Sequence, residues 1–194
     1  MPAPRCAANV QHMYAVRIHG RGGQGVVTAA ELLSVAAFLD GHHAQAFPSF
    51  GSERTGAPVV AFCRIDDRPI RVREPIVAPD ALIVQDATLL HQVDVFGGLA
   101  PGGPVLLNST RDPGELGLVG LAVVTVPATD LAREHLGRPV PNAALLGGFA
   151  ALCDVVTLDA VSAAIRERFA ARLAEANVAA ARAAFALVQE LAHA

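Results

Sequence analysis

Residues 20–33, GRGGQGVVTAAELL, place four glycines in six residues directly before an apolar run. The preceding residues 15–20, AVRIHG, alternate in polarity as a short β-strand does. Residues 26–39 are apolar around most of a helical wheel and contain no proline, which predicts a buried helix. A strand, a glycine-rich turn and a helix in this order are typical of the start of a Rossmann-like unit.

The remainder of the chain continues to alternate between apolar strands and helical segments. We expect strands at 43–47, 59–65, 81–86, 104–109 and 121–128, a short helix near 89–96, and alanine-rich helices from 142, at 158–172 and at 177–191. This pattern predicts an α/β protein with a Rossmann-like open, mostly parallel sheet, helices on both faces and a helical C-terminal part. Residues 1–13 are interpreted as a flexible leader and residues 14–194 as a single domain.

Composition limits the classes of function. The chain is 53% hydrophobic and 17% charged, with a net charge of -3, so it is neither disordered nor basic enough for a nucleic-acid partner. No apolar run has the length of a membrane span, and the first residues lack the apolar centre of a signal peptide, so we expect a cytoplasmic protein. Cys6, Cys63 and Cys153 lack the spacing of a metal or cluster motif, so we expect this chain to hold neither by itself.

The glycine loop has two interpretations. Gly20, Gly22 and Gly25 fit the pattern G-x-G-x-x-G between a strand and a helix, where the backbone can approach a phosphate and the helix N-terminus supplies N–H donors. Arg21 would add a cation and Gln24 a neutral amide. Alternatively, the glycines form a turn that only allows the helix to pack closely on the strand.

The sequence argues against NAD as the ligand. A dinucleotide site expects an acidic residue at the end of the second strand, but that strand ends at Phe47-Pro48, and Asp40 precedes it. The chain has one tyrosine, Tyr14, and no lysine, so it also lacks the Tyr-x-x-x-Lys pair of one class of NAD-dependent dehydrogenases. A phosphate-bearing ligand other than NAD is therefore favoured.

A second informative stretch is AFPSFGSERTGAPVVAF, residues 46–62. If strand two runs parallel to strand one, the loop in this stretch starts at the same sheet edge as the glycine loop, where ligands collect in α/β proteins. Glu53 and Arg54 carry opposite charges suited to a charged cofactor or another protein chain. The alternative is a solvated loop whose glycines and prolines only set its turns.

Together, GRGGQGVVTAAELL and QAFPSFGSERTGAPVVAFCRI resemble the gamma subunit of 2-oxoacid:acceptor oxidoreductases of the pyruvate:ferredoxin type, over residues 14–191. The resemblance implies a subunit of a multi-subunit enzyme that converts pyruvate or a related 2-oxoacid and coenzyme A to acyl-CoA and CO2. Electrons then pass to ferredoxin or another acceptor. The alternative function is a stand-alone nucleotide-binding regulatory module with the same fold.

The resemblance also implies a division of cofactors between subunits. Thiamine diphosphate with Mg would be bound by alpha/beta-type partners, and 4Fe-4S clusters by a ferredoxin-like partner, since this chain has no GDG motif for thiamine diphosphate. We assign no catalytic or metal-binding residue to this chain. The residues that the resemblance places at coenzyme A are Gly20, Arg21, Gly22, Gly23, Gln24, Gly25, Val26 and Thr28, with Arg54 and Thr55 from the second loop.

Overall fold

The computed structural model describes residues 13–49 and 55–193. The strands are β1 (Tyr14–Arg21), β2 (His43–Pro48), β3 (Pro58–Asp66), β4 (Ala81–Val84), β5 (Val105–Asn108) and β6 (Val123–Val126). The helices are α1 (Val26–Leu39), α2 (Ala128–Leu136), α3 (Asn142–Leu152), α4 (Leu158–Arg168) and α5 (Ala171–His193), and a 3-10 helix covers Ala87–His91. Apart from Met13, the predicted leader lies outside the described residues.

The six strands form one mixed sheet in the order β2-β3-β1-β4-β5-β6. Strands β1, β4, β5 and β6 are parallel, whereas β3 pairs antiparallel with both β1 and β2. The antiparallel pairing arises because residues 49–57 join β2 directly to β3, without the long crossover that parallel neighbours need. Strand β2 still runs in the direction of β1, so the loop after it starts at the same edge as the glycine loop, as predicted.

The α/β class and the helical C-terminal part are confirmed, and the helices lie mainly on one face. All five α-helices contribute to one apolar core against this face, with Ile18, Leu33, Phe149 and Val188 fully buried in it. On the opposite face, the 3-10 helix and loop segments cover Leu82 and the residues around it. Within the described residues, helical cover on that second face is therefore limited to the short 3-10 helix.

Several helix bounds differ from the expected ones. Helix α1 begins and ends as predicted, but the segment expected near 89–96 is the shorter 3-10 helix, because the Asp86 side chain accepts a hydrogen bond from the Thr88 N–H and caps it earlier. Helix α4 ends before Phe169, which is extended, and α5 begins six residues earlier than expected, at Ala171. Helix α2 was not predicted: the expected strand at 121–128 includes its first residue, and no element was assigned to residues 129–136.

The longest helix is α5, with 23 residues. No helix in residues 13–49 and 55–193 combines the length and the apolar character that crossing a membrane requires. The described helices instead pack on the sheet. Helices α3 and α5 also pack against each other through alanines and glycines on their facing surfaces.

Candidate phosphate-binding site

The glycine loop connects β1 to α1 with two residues in the left-handed region. Gly23 has φ 93° and Gly25 has φ 75°, a conformation that residues with a β-carbon rarely adopt. Gly25 is the N-cap of α1, and its carbonyl accepts from Ala29, the first hydrogen bond of the helix. The N–H groups of residues 26–28 therefore have no partner within the helix and emerge at its N-terminus, as an anion site requires.

Gln24 holds the loop closed. Its Oε1 accepts from the backbone N–H of Arg21 at 2.8 Å, and its Nε2 donates to Asp86 Oδ2 at 2.9 Å. The backbone N–H of Gln24 donates to the Arg21 carbonyl at 3.0 Å. Both polar atoms of its side chain are thus hydrogen-bonded within the protein. Gln24 therefore stabilises the loop and does not present its amide to a ligand.

Arg21 is also bound within the protein. Its Nε donates to Asp86 Oδ2 at 3.0 Å and its Nη1 to the carbonyl of Gly56 at 3.0 Å. Its Nη2 donates to Thr88 Oγ1 at 2.6 Å and to Gln92 Oε1 at 2.9 Å. The cation is therefore paired with a carboxylate, and the anion-binding potential of this loop comes mainly from its backbone.

Asp86 is the centre of this network. Partial burial by itself would raise its pKa, but hydrogen bonds from Thr88 and Gln24 and the charge of Arg21 together hold the pKa of the carboxyl below its usual value. Asp86 follows β4, the strand next to β1 in the sheet. An ionised carboxylate at this place ties the glycine loop to the neighbouring strand.

The second motif meets the glycine loop. Thr55 pairs with Gly22 in a parallel β-bridge, the Gly22 N–H donates to the Ala57 carbonyl at 2.9 Å, and the Gly56 N–H donates to the Gly22 carbonyl at 3.1 Å. The backbone of Gly22 is therefore occupied and does not supply a phosphate donor. Arg54 lies outside the described residues.

A cavity of about 330 Å3 opens in front of the loop. Its lining consists of Arg21, Gly22, Gly23, Gly25, Val26, Val27, Thr28 and Val59. Of the predicted residues that the structure describes, Gly20, Gln24 and Thr55 are not among these. Gly20 serves close packing instead, because a β-carbon there would lie 2.5 Å from Val26 Cγ2 and 3.1 Å from Gln85 Oε1. The sequence pattern thus contains both a packing glycine and glycines that line the cavity.

A second cavity, of about 220 Å3, shares Gly23, Gly25 and Thr28 with the first. The other side chains that line it come from the helical part of the chain. They are Leu136, Arg138, Val140, Asn142, Arg168, Phe169, Leu173 and Asn177. No local motif marks these residues in the sequence, and none of them was predicted as a site residue.

The described residues include no group of three or more His, Cys, Asp or Glu side chains that could hold a metal ion. Cys63 and Cys153 are both buried, and burial raises the pKa of the Cys63 thiol. Because the thiolate is the form that binds metals, a buried protonated thiol is a poor ligand. Both side chains belong to the apolar core.

The chain is similar to proteins of one family. The model of the family "Pyruvate ferredoxin/flavodoxin oxidoreductase" matches residues 15–187. Pyruvate synthase subunit PorC of Methanothermobacter thermautotrophicus is 47% identical over 179 residues, covering 92% of this chain and 98% of the relative. The common gamma subunit of the pyruvate/ketoisovalerate oxidoreductases of Thermococcus litoralis is 46% identical over 177 residues, covering 89% and 96%. The crystal structure of pyruvate oxidoreductase subunit PORC from Thermotoga maritima superimposes with a TM-score of 0.80 at 33% identity, covering 91% and 97%.

The chain belongs to the pyruvate ferredoxin/flavodoxin oxidoreductase family. Within this family its relatives are gamma subunits of pyruvate and ketoisovalerate oxidoreductases, and they match this chain over nearly their whole length. The prediction of a gamma subunit of a multi-subunit 2-oxoacid oxidoreductase is thereby confirmed. The alternatives of a stand-alone regulatory module and of an NAD-dependent dehydrogenase lose their support.

Proposed function

We propose that this chain binds coenzyme A, with the pyrophosphate in the cavity in front of the glycine loop. The proposal depends chiefly on the wall of that cavity, where two left-handed glycines and the first turn of α1 present backbone N–H groups without partners inside the helix. Donors fixed in this way suit a pyrophosphate, because the ligand receives hydrogen bonds and the positive end of the helix dipole together.

The surroundings of the loop favour coenzyme A over a nicotinamide dinucleotide. Asp40, the acid at the sequence distance of a ribose ligand, is the C-cap of α1, about 21 Å from the loop at 1.5 Å per residue. Its carboxylate accepts from the N–H and hydroxyl of Thr157 at 2.6 and 2.8 Å. Asp86 is close to the loop but is engaged by Arg21 and Gln24. No free carboxylate among the described residues therefore faces a ribose diol.

The remaining chemistry is assigned to partner subunits. We place thiamine diphosphate with Mg on alpha/beta-type subunits and the 4Fe-4S clusters on a ferredoxin-like subunit, with ferredoxin or another acceptor receiving the electrons. Residues 14–194 would act as one domain that positions coenzyme A and contributes no catalytic group. The buried Cys63, which forms no disulfide, suits a reducing compartment such as the cytoplasm, where we expect the complex to work.

Substitution of Gly22 by valine in the assembled complex tests the coenzyme A site. Gly22 lines the cavity and is outside the left-handed region, so we expect a valine there to obstruct the ligand without forcing a forbidden φ. We expect the KM for coenzyme A to rise roughly tenfold or more, since loss of one good contact of about 1.4 kcal/mol has that effect. Release of CO2 from the 2-oxoacid in a single turnover without coenzyme A is expected to be unchanged.

Gly114→Val is the matched control. Gly114 is also outside the left-handed region, and a β-carbon there would meet only the Asp112 carboxylate, at 3.1 Å. The variant should have the KM of the unsubstituted complex. If Gly22→Val assembles and its KM for coenzyme A equals that of the control, the loop is only a packing turn and the proposal is wrong.

A further inference from the structure

The second cavity forms a groove beside the glycine loop, which we call the arginine groove and define by Arg138, Asn142, Arg168 and Asn177. It adjoins the cavity proposed for the pyrophosphate, because Gly23, Gly25 and Thr28 line both. A ligand whose pyrophosphate lies at the N-terminus of α1 can therefore extend directly into the groove. The four residues that define it come from the loop after α2 and from α3, α4 and α5.

The charge of the groove is not neutralised within the described part of the chain. Arg138 and Arg168 are exposed, and neither has an ion pair or side-chain hydrogen bond to a described residue. Arg168 lies over the ring of Phe169, with its guanidinium carbon 5.8 Å from the ring centre. No lining residue is acidic. Two unpaired guanidinium groups in one concave site favour an anion, especially a phosphate that can accept paired hydrogen bonds.

A buried amide provides a second, independent observation. Asn142 and Asn177 are each only 3% exposed, yet both line the groove. Asn177 Nδ2 donates to the Leu173 carbonyl at 2.8 Å, and Asn142 Oδ1 accepts from the Ala143 N–H at 2.8 Å. Asn142 Nδ2 therefore has no partner among the described residues, whereas the atom left over on Asn177 is Oδ1, an acceptor that does not suit an anion. Asn142 Nδ2 lies beside the loop, 2.9 Å from where a β-carbon on Gly25 would be. Asn142 Nδ2 is therefore a donor that a phosphate in the groove can accept from.

We propose that the arginine groove binds the 3′-phosphate of coenzyme A, so that this chain distinguishes coenzyme A from its 3′-dephospho form. The inference rests on the proposed function, because it assumes that the pyrophosphate occupies the neighbouring cavity. The ribose of coenzyme A carries a phosphomonoester on the sugar whose 5′ position carries the pyrophosphate. The ligand therefore has two anionic groups separated by one sugar, and the protein has two contiguous sites that suit anions.

The test compares KM values for coenzyme A and 3′-dephospho-coenzyme A in the assembled enzyme. The unsubstituted complex is expected to favour coenzyme A by about tenfold or more, the effect of one charged hydrogen bond at the low end. In the double variant Arg138→Ala/Arg168→Ala, the ratio of the two KM values should fall close to one, because only the KM for coenzyme A rises. Arg71→Ala removes an exposed arginine outside both cavities and should retain the full preference.

Two results would overturn the inference. In the first, the unsubstituted complex uses both compounds with the same KM. In the second, it discriminates between them and the double variant discriminates equally well, so that the 3′-phosphate is recognised elsewhere. Failure of the proposed function looks different, because Gly22→Val would then leave the KM of both compounds unchanged. A response to Gly22→Val without a response to the arginine substitutions would reject the groove alone.

A measurement without substitutions covers the case in which the double variant does not assemble. The unsubstituted complex is treated with phenylglyoxal, which modifies accessible arginines, and the modified positions are identified by mass spectrometry. Adenosine 3′,5′-bisphosphate is expected to protect Arg138 and Arg168 and to leave Arg71 reactive. Equal modification with and without the bisphosphate, or no modification of the two groove arginines in either case, would contradict the inference.

Discussion

Arg21 Nε donates to Asp86 Oδ2 at a distance of 3.0 Å. This ion pair joins the end of β1 to Asp86, the second residue after β4. The two side chains are only 20% and 17% exposed. Because Asp86 also accepts from Gln24 and Thr88, one carboxylate fixes the glycine loop, the arginine and the 3-10 helix together. The backbone N–H groups on the cavity side of the loop are thereby held in place before a ligand binds.

Replacement of Asp86 by asparagine is expected to loosen the loop. The substitution removes the charge from hydrogen bonds that are worth about 1.5–3 kcal/mol each when one partner is ionised. It also leaves the mostly buried Arg21 without its carboxylate. We expect a lower melting temperature and a higher KM for coenzyme A, while CO2 release without coenzyme A continues. Thermal unfolding and steady-state kinetics of the assembled complex measure both effects.

Asp67→Asn serves as the control for that substitution. Asp67 pairs with His42 at 2.9 Å, but its side chain is 61% exposed, and exposed pairs contribute only about 0–1 kcal/mol. The Asp67 variant should therefore behave nearly as the unsubstituted protein. Equal small effects at Asp86 and Asp67 would show that the network around Arg21 does not shape the loop.

Gly147 and Gly148 are neighbours in α3 with very different surroundings. A β-carbon at Gly147 would overlap the carbonyl of Ala181 in α5 and lie 2.6 Å from its Cα, so the two helix backbones must separate. We expect Gly147→Ala to reduce the free energy of unfolding by about 3 kcal/mol or more, the upper range for overpacking. Urea unfolding followed by circular dichroism measures this loss.

Gly148→Ala provides the comparison within the same turn. A β-carbon there would meet the end of the Leu106 side chain at 3.2 Å, which can shift slightly. Alanine also favours a helix over glycine by about 1 kcal/mol, so we expect a net change of less than about 1 kcal/mol. Similar losses from both substitutions would contradict the close approach of α3 and α5 at Gly147.

The sequence predicts the elements whose signals are local. Helix α1 is apolar on nearly every face and bounded by Gly25 and Asp40, and its predicted bounds agree with the structure. Helix α2 has nine residues, of which Ala128 and Ala132 are buried, so its apolar period is too weak to detect. The antiparallel position of β3 was also missed, because strand patterns carry no information on direction.

The same distinction holds for the site. The sequence predicts that the two loops start at the same sheet edge, because each is a recognisable motif that follows a strand. The structure joins them through Gly22 and Thr55. The inward orientation of Arg21 depends on Asp86, 65 residues away, and could not be inferred from the loop alone. Arg138 and Arg168 reach the cavity only through the packing of the C-terminal helices, which no local pattern encodes.

His19, next to the glycine loop, is buried with 4% of its surface exposed. Its Nε2 accepts from Arg17 Nε at 3.0 Å, and its Nδ1 has no partner among the described residues. Burial and the positive charge of Arg17 lower the pKa of His19 to about 4, against a smaller opposing effect of Asp94. The folded protein therefore keeps this imidazole neutral, and His19 is not a proton donor near neutral pH.

This shift predicts how stability depends on pH. Below about pH 6.5 the unfolded chain protonates His19 while the folded chain does not, so the free energy of unfolding falls as the pH decreases towards about 4. For these two pKa values the expected loss between about pH 7 and about pH 5 is about 2 kcal/mol. His19→Gln keeps an acceptor for Arg17 but cannot be protonated, so it should lack this part of the loss. Urea unfolding of both proteins at the two pH values measures the difference, and equal losses would show that His19 is not the group responsible.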